Sequence, residues 1–360
     1  MPTTRVLLAE PRGFCAGVEA AVKSLAWMAV LHEPPVFCVH HVVHNEQVVA
    51  RFERLGVRFV DDPDEAAPGA PLLLSAHGST PDAVSRAARR ASVVIDAVCP
   101  LVTKVHHEIR TRAAGGGTVL YVGHRGHDEA VGAVAQAPRH VVRVETPADV
   151  TAVPVPVGSP VAVLAQTTLA QDDWRAVVAA AEARFGTVWL PRRDDLCFAT
   201  TNRQAAVTAL ARSCDTVVVV GSAASSNTRA LADTARRAGC THVVRVAGPD
   251  ELPVSLTRGR SGAVGVTAGA STPSAAVDGV VRALAPGSVE RVTAMREEVY
   301  FPLAPPVRRR LAELAAAGRL DPDLHRAFVD DRDTTADALL GLVEDRRLVG
   351  ALAREPAATT

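Results

Sequence analysis

Residues 5–17 read RVLLAEPRGFCAG, a short apolar run that breaks at Glu10 into a loop of proline, arginine, glycine and cysteine. Beyond it, Val18, Val22, Leu25 and Met28 recur at helical spacing. A strand that passes through a polar loop into a helix is the repeating unit of a parallel α/β sheet. The same plan returns along the chain. Arg5–Ala9, Leu72–Ser75, Ser92–Val98, Val119–Val122, Val161–Ala165, Thr216–Val220 and Ala263–Thr267 read as strands, with helical segments between them. Several of these runs are almost unbroken Val, Leu and Ile, as expected of strands covered on both faces. In such sheets the reactive residues belong in the loops just past the carboxyl ends of the strands.

The 360 residues allow two or three compact domains. Lysine plus arginine (39) balance aspartate plus glutamate (39), which gives no reason to expect nucleic acid or an acidic membrane surface as a partner. The apolar run near the start is too short for a secretory signal, and no window approaches the length needed to span a bilayer. The expected location is the cytoplasm. Six cysteines do not make a disulfide framework in a chain of this size, so their use lies in packing, metal ligation or redox chemistry.

Cys38, in the strand-like PVFCVHHVV, reads as packing, as do Cys214 and Cys240 near helix ends. Cys15, Cys99 and Cys197 have a different context. Each leads into a helical run, Cys99 with Pro100 at a favourable first helical position and Cys197 after the strand-like Thr187–Leu190. A thiol at a helix N-terminus gains from the positive end of the dipole, which favours the thiolate a metal requires. Each cysteine is also followed by two polar loops: Cys15 by His44 and His77, Cys99 by His127 and Thr167, and Cys197 by Ser225 and Ser271. The first loop follows its cysteine at nearly the same interval in all three. This shared layout describes three α/β units whose strand ends face a common centre. Three buried core thiols, a three-cysteine zinc site and an iron–sulfur cluster all remain open on spacing alone. Three protein ligands on a four-iron cluster would leave one iron available as a Lewis acid.

The loops themselves suit an anion. His44 in HVVHNE and His77 in SAHGST stand at strand ends, where each can donate to an anionic oxygen. In GHRGHDE, His127 and Glu129 place a proton donor beside a candidate general acid. Ser225, Ser226 and Asn227 lie between a strand and a helix, and Ser271 lies in the similar TAGASTP. Hydroxyls, an amide and backbone N–H groups at a helix start can surround a phosphate, although N-capping would use the same residues. Two such cradles and two histidines fit a diphosphate better than a carboxylate.

PRGFCAGV, HVVHN, SAHG, DAVCPLVTKVH, GHRGHDE, QTT, CFATTNRQ, SSNT and VTAGAST, in this order, closely resemble the LytB/IspH family of 4-hydroxy-3-methylbut-2-enyl diphosphate reductases, from about residue 4 to about 303. The resemblance implies three α/β domains in a pseudo-threefold trefoil around a central [4Fe–4S] cluster held by Cys15, Cys99 and Cys197. The implied division is 1–14 as a strand joining the third domain, 15–98, 99–195 and 196–303 as the domains, and 304–360 as a helical C-terminal extension. It further implies that the substrate hydroxyl meets the open iron with Thr167 and Glu129 close by. His44, His77, His127, Ser225, Ser226, Asn227 and Ser271 would hold the diphosphate. Two one-electron reductions, fed by a donor such as ferredoxin or flavodoxin with its reductase, and protonation would expel water through an allyl intermediate. Isopentenyl and dimethylallyl diphosphates would result, with Glu129 as the proton source, relayed through Thr167 and the diphosphate, and His127 beside them. Ala223-Ala224, Asp128 and Ser79 depart from the family pattern without removing a ligand or the acid, and leave room for a paralogue acting on another allylic diphosphate or a non-catalytic iron–sulfur protein. The tail reads as two amphipathic helices, Arg308–Ala316 and Ala336–Ala353, joined through acidic segments, with a disordered EPAATT end.

Overall fold

A computed structural model describes residues 5–192, 195–257 and 262–349. Its strands, in chain order, are β1 Arg5–Glu10, β2 Val36–Val39, β3 Val57–Val60, β4 Leu72–Leu74, β5 Val94–Asp96, β6 Thr118–Val122, β7 Val141–Val144, β8 Val161–Ala165, β9 Thr216–Val220, β10 His242–Val246, β11 Ala263–Ala268 and β12 Ser288–Thr293. They form three sheets, ordered β10-β9-β11-β1-β12, β3-β2-β4-β5 and β7-β6-β8. Every pairing is parallel. The chain is an α/β protein of parallel sheets with helical connections, as the alternating pattern predicts.

β8 and β9 are buried at every residue, which is why VAVLA and TVVVV carry no polar alternation. β3, β7, β10 and β12 were not among the expected strands. Each is an edge of its sheet, and arginines, a histidine and a glutamate on them face solvent, so the apolar signal is diluted. The expected strand Thr187–Leu190 is reduced to one bridge, in which the Trp189 backbone exchanges hydrogen bonds with Val161 and Val163 along the free edge of β8. Ser92–Val98 shortens to β5.

The residues cluster into two compact units. One contains residues up to 15, 77–82 and 98–298, with the first and third sheets; the other contains 16–76, 83–97 and the chain from 299 on, with the second sheet. In the first unit, helices on both faces of the five-stranded sheet enclose separate apolar cores. One is built on Val218, Val264, Val266 and Val280, the other on Val217, Val219, Leu210 and Leu231.

In the second unit the tail folds as helices Pro305–Ala316, Pro322–Val329 and Ala336–Val349. The middle helix forms within the acidic connection expected between the other two; Asp321 caps it and Pro322 occupies its first position. Residues 350–353 of the expected last helix, and the EPAATT end, lie outside the described residues. These helices are anchored by polar groups on helices Ala16–Leu31 and Glu46–Arg54. The Lys23 ammonium donates to the Asp331 carbonyl at 2.6 Å and lies 3.5 Å from its carboxylate, to which the Tyr300 hydroxyl also donates. Glu19 accepts the Ala336 amide at 2.5 Å, and Arg51 pairs with Asp337 at 3.2 Å and Glu344 at 2.7 Å. Replacing one member of a buried pair strands the other charge. Lys23→Met is therefore expected to lower stability by about 3 kcal/mol in urea unfolding; an unchanged midpoint would show that the network contributes nothing to holding the tail.

Candidate active site

All three cysteines singled out by context stand at helix starts. Cys99 is the N-cap of helix Pro100–Ala114, Cys197 is the N-cap of helix Phe198–Ala211, and Cys15 directly precedes helix Ala16–Leu31. The loop carrying Cys15 is laid along the loop after β11: the Gly13 amide donates to the Ala268 carbonyl at 3.4 Å and the Cys15 amide to the Ala270 carbonyl at 3.2 Å. Gly13 has φ 67°, and a Cβ there would come within 3.2 Å of the Thr272 carbonyl, so this turn requires glycine. The Cys197 amide donates to the Thr167 carbonyl at 3.0 Å, and its sulfur accepts the Thr200 amide at 3.2 Å, with the Thr200 hydroxyl at 3.3 Å.

The three thiols are close enough for their charges to act on one another. Burial, and then the charge of Cys15, push the Cys99 thiol up to about 12, against the pull of the Leu101 and Val102 amides. Burial and Cys15 likewise push Cys197 to about 12, against two Thr200 hydrogen bonds. The helix-terminus benefit expected from the sequence is present but smaller than the cost of desolvation and mutual repulsion. A cationic, thiophilic group bound among them would reverse that balance. The donor set fits a metal centre.

Glu129 lies in the first turn of helix Asp128–Val134 and is buried. One carboxylate oxygen accepts the Thr167 amide at 2.7 Å and the other the Thr167 hydroxyl at 3.1 Å. Burial raises its carboxyl to about 7, with a smaller contribution from the charge of Asp195 outweighing neither of the Thr167 hydrogen bonds that oppose the shift. The His127 Nδ1 accepts the Glu129 amide at 3.2 Å, which leaves the proton of the neutral ring on Nε2, where it can serve as a donor. The His77 ring meets His127 edge to face, with centroids 5.9 Å apart.

The small-residue loops after β9 and β11 converge as well. The Ser225 hydroxyl caps helix Ser226–Arg237 by accepting the Thr228 amide at 3.2 Å and lies 3.5 Å from the Ser271 hydroxyl. The capping reading of this loop thus holds for Ser225. Ser226 takes a hydrogen bond from the Gln166 amide at 3.2 Å, and Asn227 accepts the Ala270 amide at 2.9 Å while its own amide reaches the Thr200 hydroxyl at 3.4 Å. Gly269 allows this approach, because a Cβ on it would collide with the Thr228 hydroxyl.

The first unit thus joins Cys15, Cys99, Cys197, His77, His127, Glu129, Thr167, Ser225, Ser226, Asn227 and Ser271 through these contacts. His44 stands after β2, one residue before the N-cap Asn45, and belongs to the second unit. Sequence reasoning missed Gln166, Thr200 and Arg203 as individual residues. All three lie inside the quoted motifs QTT and CFATTNRQ, and each is buried.

Residues 6–285 match the family model described as LytB protein. The chain is similar to 4-hydroxy-3-methylbut-2-enyl diphosphate reductase 2 of Mycobacterium bovis, 44% identical over 283 residues, which is 78% of this chain and 85% of that protein. It is also similar to the 4-hydroxy-3-methylbut-2-enyl diphosphate reductase of Acidothermus cellulolyticus, 42% identical over 335 residues, covering 92% of this chain and 97% of that one. Among solved structures, the E-1-hydroxy-2-methyl-but-2-enyl-4-diphosphate reductase of Plasmodium falciparum superposes with a TM-score of 0.82 at 28% identity, over 87% of this chain and all of that one.

The raised Glu129 carboxyl has a measurable sign. A carboxyl whose folded pKa lies above its ordinary 4.5 contributes stability that is complete below that value and lost as pH rises through about 7. Glu129→Gln keeps the shape without the charge. Relative to wild type it should gain on the order of 3 kcal/mol at pH 8 and nothing at pH 4. Urea melts at the two pH values read this directly; an equal difference at both would contradict the buried acid.

Proposed function

The chain belongs to the LytB family, and we propose that it reduces (E)-4-hydroxy-3-methylbut-2-enyl diphosphate to isopentenyl and dimethylallyl diphosphates, the last step of the methylerythritol phosphate route. The observation that carries this reading is the meeting of three thiols with a neutral buried acid: Cys15, Cys99 and Cys197 beside the Thr167–Glu129 pair.

Cys15, Cys99 and Cys197 would hold a [4Fe–4S] cluster, which supplies electrons one at a time and an iron that can act as a Lewis acid toward a substrate oxygen.

The overall change consumes two electrons and two protons, replaces a C–O bond with C–H and releases water. Glu129, neutral up to about pH 7, would hold the proton needed by the departing oxygen. Thr167 fixes the orientation of that carboxyl through its amide and hydroxyl and offers the hydroxyl as a relay. His127, with its proton on Nε2, and His77 would donate to the diphosphate, as would Ser225, Ser226, Asn227 and Ser271 at the two helix starts. His44 takes the same role on the strength of its motif. Burial of Glu129 and Thr167 keeps bulk water from competing for the proton.

The three-domain division at 1–14, 15–98, 99–195, 196–303 and 304–360 belongs to the same proposal. One sheet per domain, and the pairing of β1 with β11 and β12, support it. Electrons would come from a small protein donor of the ferredoxin or flavodoxin class with its reductase, in a reducing cytoplasm where six free thiols persist.

Anaerobic protein with a chemical reductant should convert the hydroxylated allylic diphosphate into the two isomeric products. Glu129→Gln should keep the cluster absorption and a KM within a few-fold of wild type while kcat falls by roughly 100-fold or more. A variant kcat within tenfold of wild type would remove Glu129 from the proton path, and a cluster-loaded wild type without turnover would mark the chain as a binder.

A further inference from the structure

We infer that Arg203 and Asp195 are positioning residues of the three-thiol site: two buried polar braces with Cys197 as their common member, one reaching the loop of Cys15 and the other the helix of Cys99. The inference rests on the cluster reading above and extends it to residues that touch neither substrate nor metal.

Arg203 lies on helix Phe198–Ala211, which starts directly after Cys197, and its side chain is 1% exposed. Its guanidinium donates to the Gly13 carbonyl twice, at 3.1 and 2.7 Å, and to the Phe14 carbonyl at 3.1 Å. Those are the two residues immediately before Cys15. The remaining donor reaches the Ala199 carbonyl at 3.0 Å and the Glu297 carboxylate at 3.1 Å. Glu297 balances the charge and is held in turn by the Asn202 amide at 2.9 Å. A planar fork satisfied on all sides by backbone carbonyls fixes the loop of Cys15 relative to the helix of Cys197.

Asp195 stands two residues before Cys197, and its side chain is 0% exposed. One oxygen accepts the Lys104 ammonium at 3.2 Å, on the helix that starts directly after Cys99, and the other accepts the Ala165 amide at 3.1 Å, at the end of β8. The same carboxylate therefore ties the loop of Cys197 to the helix of Cys99 and to the strand end that leads into Thr167. Among the described residues, the five-stranded and three-stranded sheets carry distinct apolar clusters. The braces sit where the chain passes from one sheet to the other.

Their physical task follows from that geometry: the contacts fix the three sulfur-bearing turns relative to one another, and a metal site whose ligand loops are free to splay loses its metal faster than one whose outer contacts hold them.

The test uses full-length, anaerobically reconstituted protein. Arg203→Lys keeps the charge and loses the fork; Asp195→Asn keeps an acceptor for Ala165 and breaks the pair with Lys104. Thermal melts of the apo forms report on the fold, and bleaching of the cluster absorption by excess chelator reports on the site. Each variant should retain a cooperative melt and release its cluster ~tenfold or more faster than wild type, within the range that outer-shell partners of metal ligands carry. Release within twofold of wild type in both variants would overturn the inference while leaving the cluster reading intact. Loss of the cooperative melt in both would also overturn it, since the contacts would then serve the fold and not the site. A wild type that takes up no cluster would remove the reading beneath it and the inference together.

Discussion

Three half-buried sulfurs have to be brought together although the charge of Cys15 disfavours the ionisation of Cys99 and Cys197. Most of the first unit is arranged around that constraint. Cys15, Cys99 and Cys197 arrive from three separate strand-to-helix turns, and each turn is pinned by backbone hydrogen bonds to a neighbouring loop or by a helix start. The amides that point at the sulfurs lower the cost of a thiolate without removing it. Ionisation of these thiols would be favoured by a cationic group bound among them, as the proposed metal centre would supply.

The same turns that position sulfur also position the acid. The Thr167 carbonyl receives the Cys197 amide, and the Thr167 amide and hydroxyl hold Glu129. One residue thus links a proposed metal ligand to a carboxyl that burial raises to about 7. Gln166, next to it, reaches Ser226 and the His124 amide, so the loop proposed to hold phosphate and the acid share a single short segment after β8. The proposed proton donor, anion cradle and sulfur ligand are in this way carried on adjoining strand ends, the place where parallel sheets put their chemistry.

Much of this was legible in the chain because the information is local. Thr216–Val220 and Val161–Ala165 are strands over the residues that periodicity selects, since both faces are covered and every position but Thr216 is apolar. Pro100 and the SSN triplet mark helix starts by chemistry that acts within a few residues. What sequence reasoning missed depends on distant partners. Edge strands such as Ser288–Thr293 are defined by a neighbour's hydrogen bonds, not by their own apolar pattern. Arg203 reads as an ordinary helical arginine, because its partners are backbone carbonyls some 190 residues away that any sequence would supply. The direction of the cysteine shifts also escaped, since a helix dipole can be read from a sequence and desolvation cannot.

The central claim is that Cys15, Cys99 and Cys197 act as one ligand set while the other three cysteines pack. Single alanine replacements of all six, each reconstituted anaerobically and assayed for iron and acid-labile sulfide per chain, test it most directly. Replacing Cys15, Cys99 or Cys197 should remove most of the iron, whereas Cys38→Ala, Cys214→Ala and Cys240→Ala should each keep about four irons and four sulfides. Full iron in any of the first three variants, or its loss from all of the last three, would contradict the account.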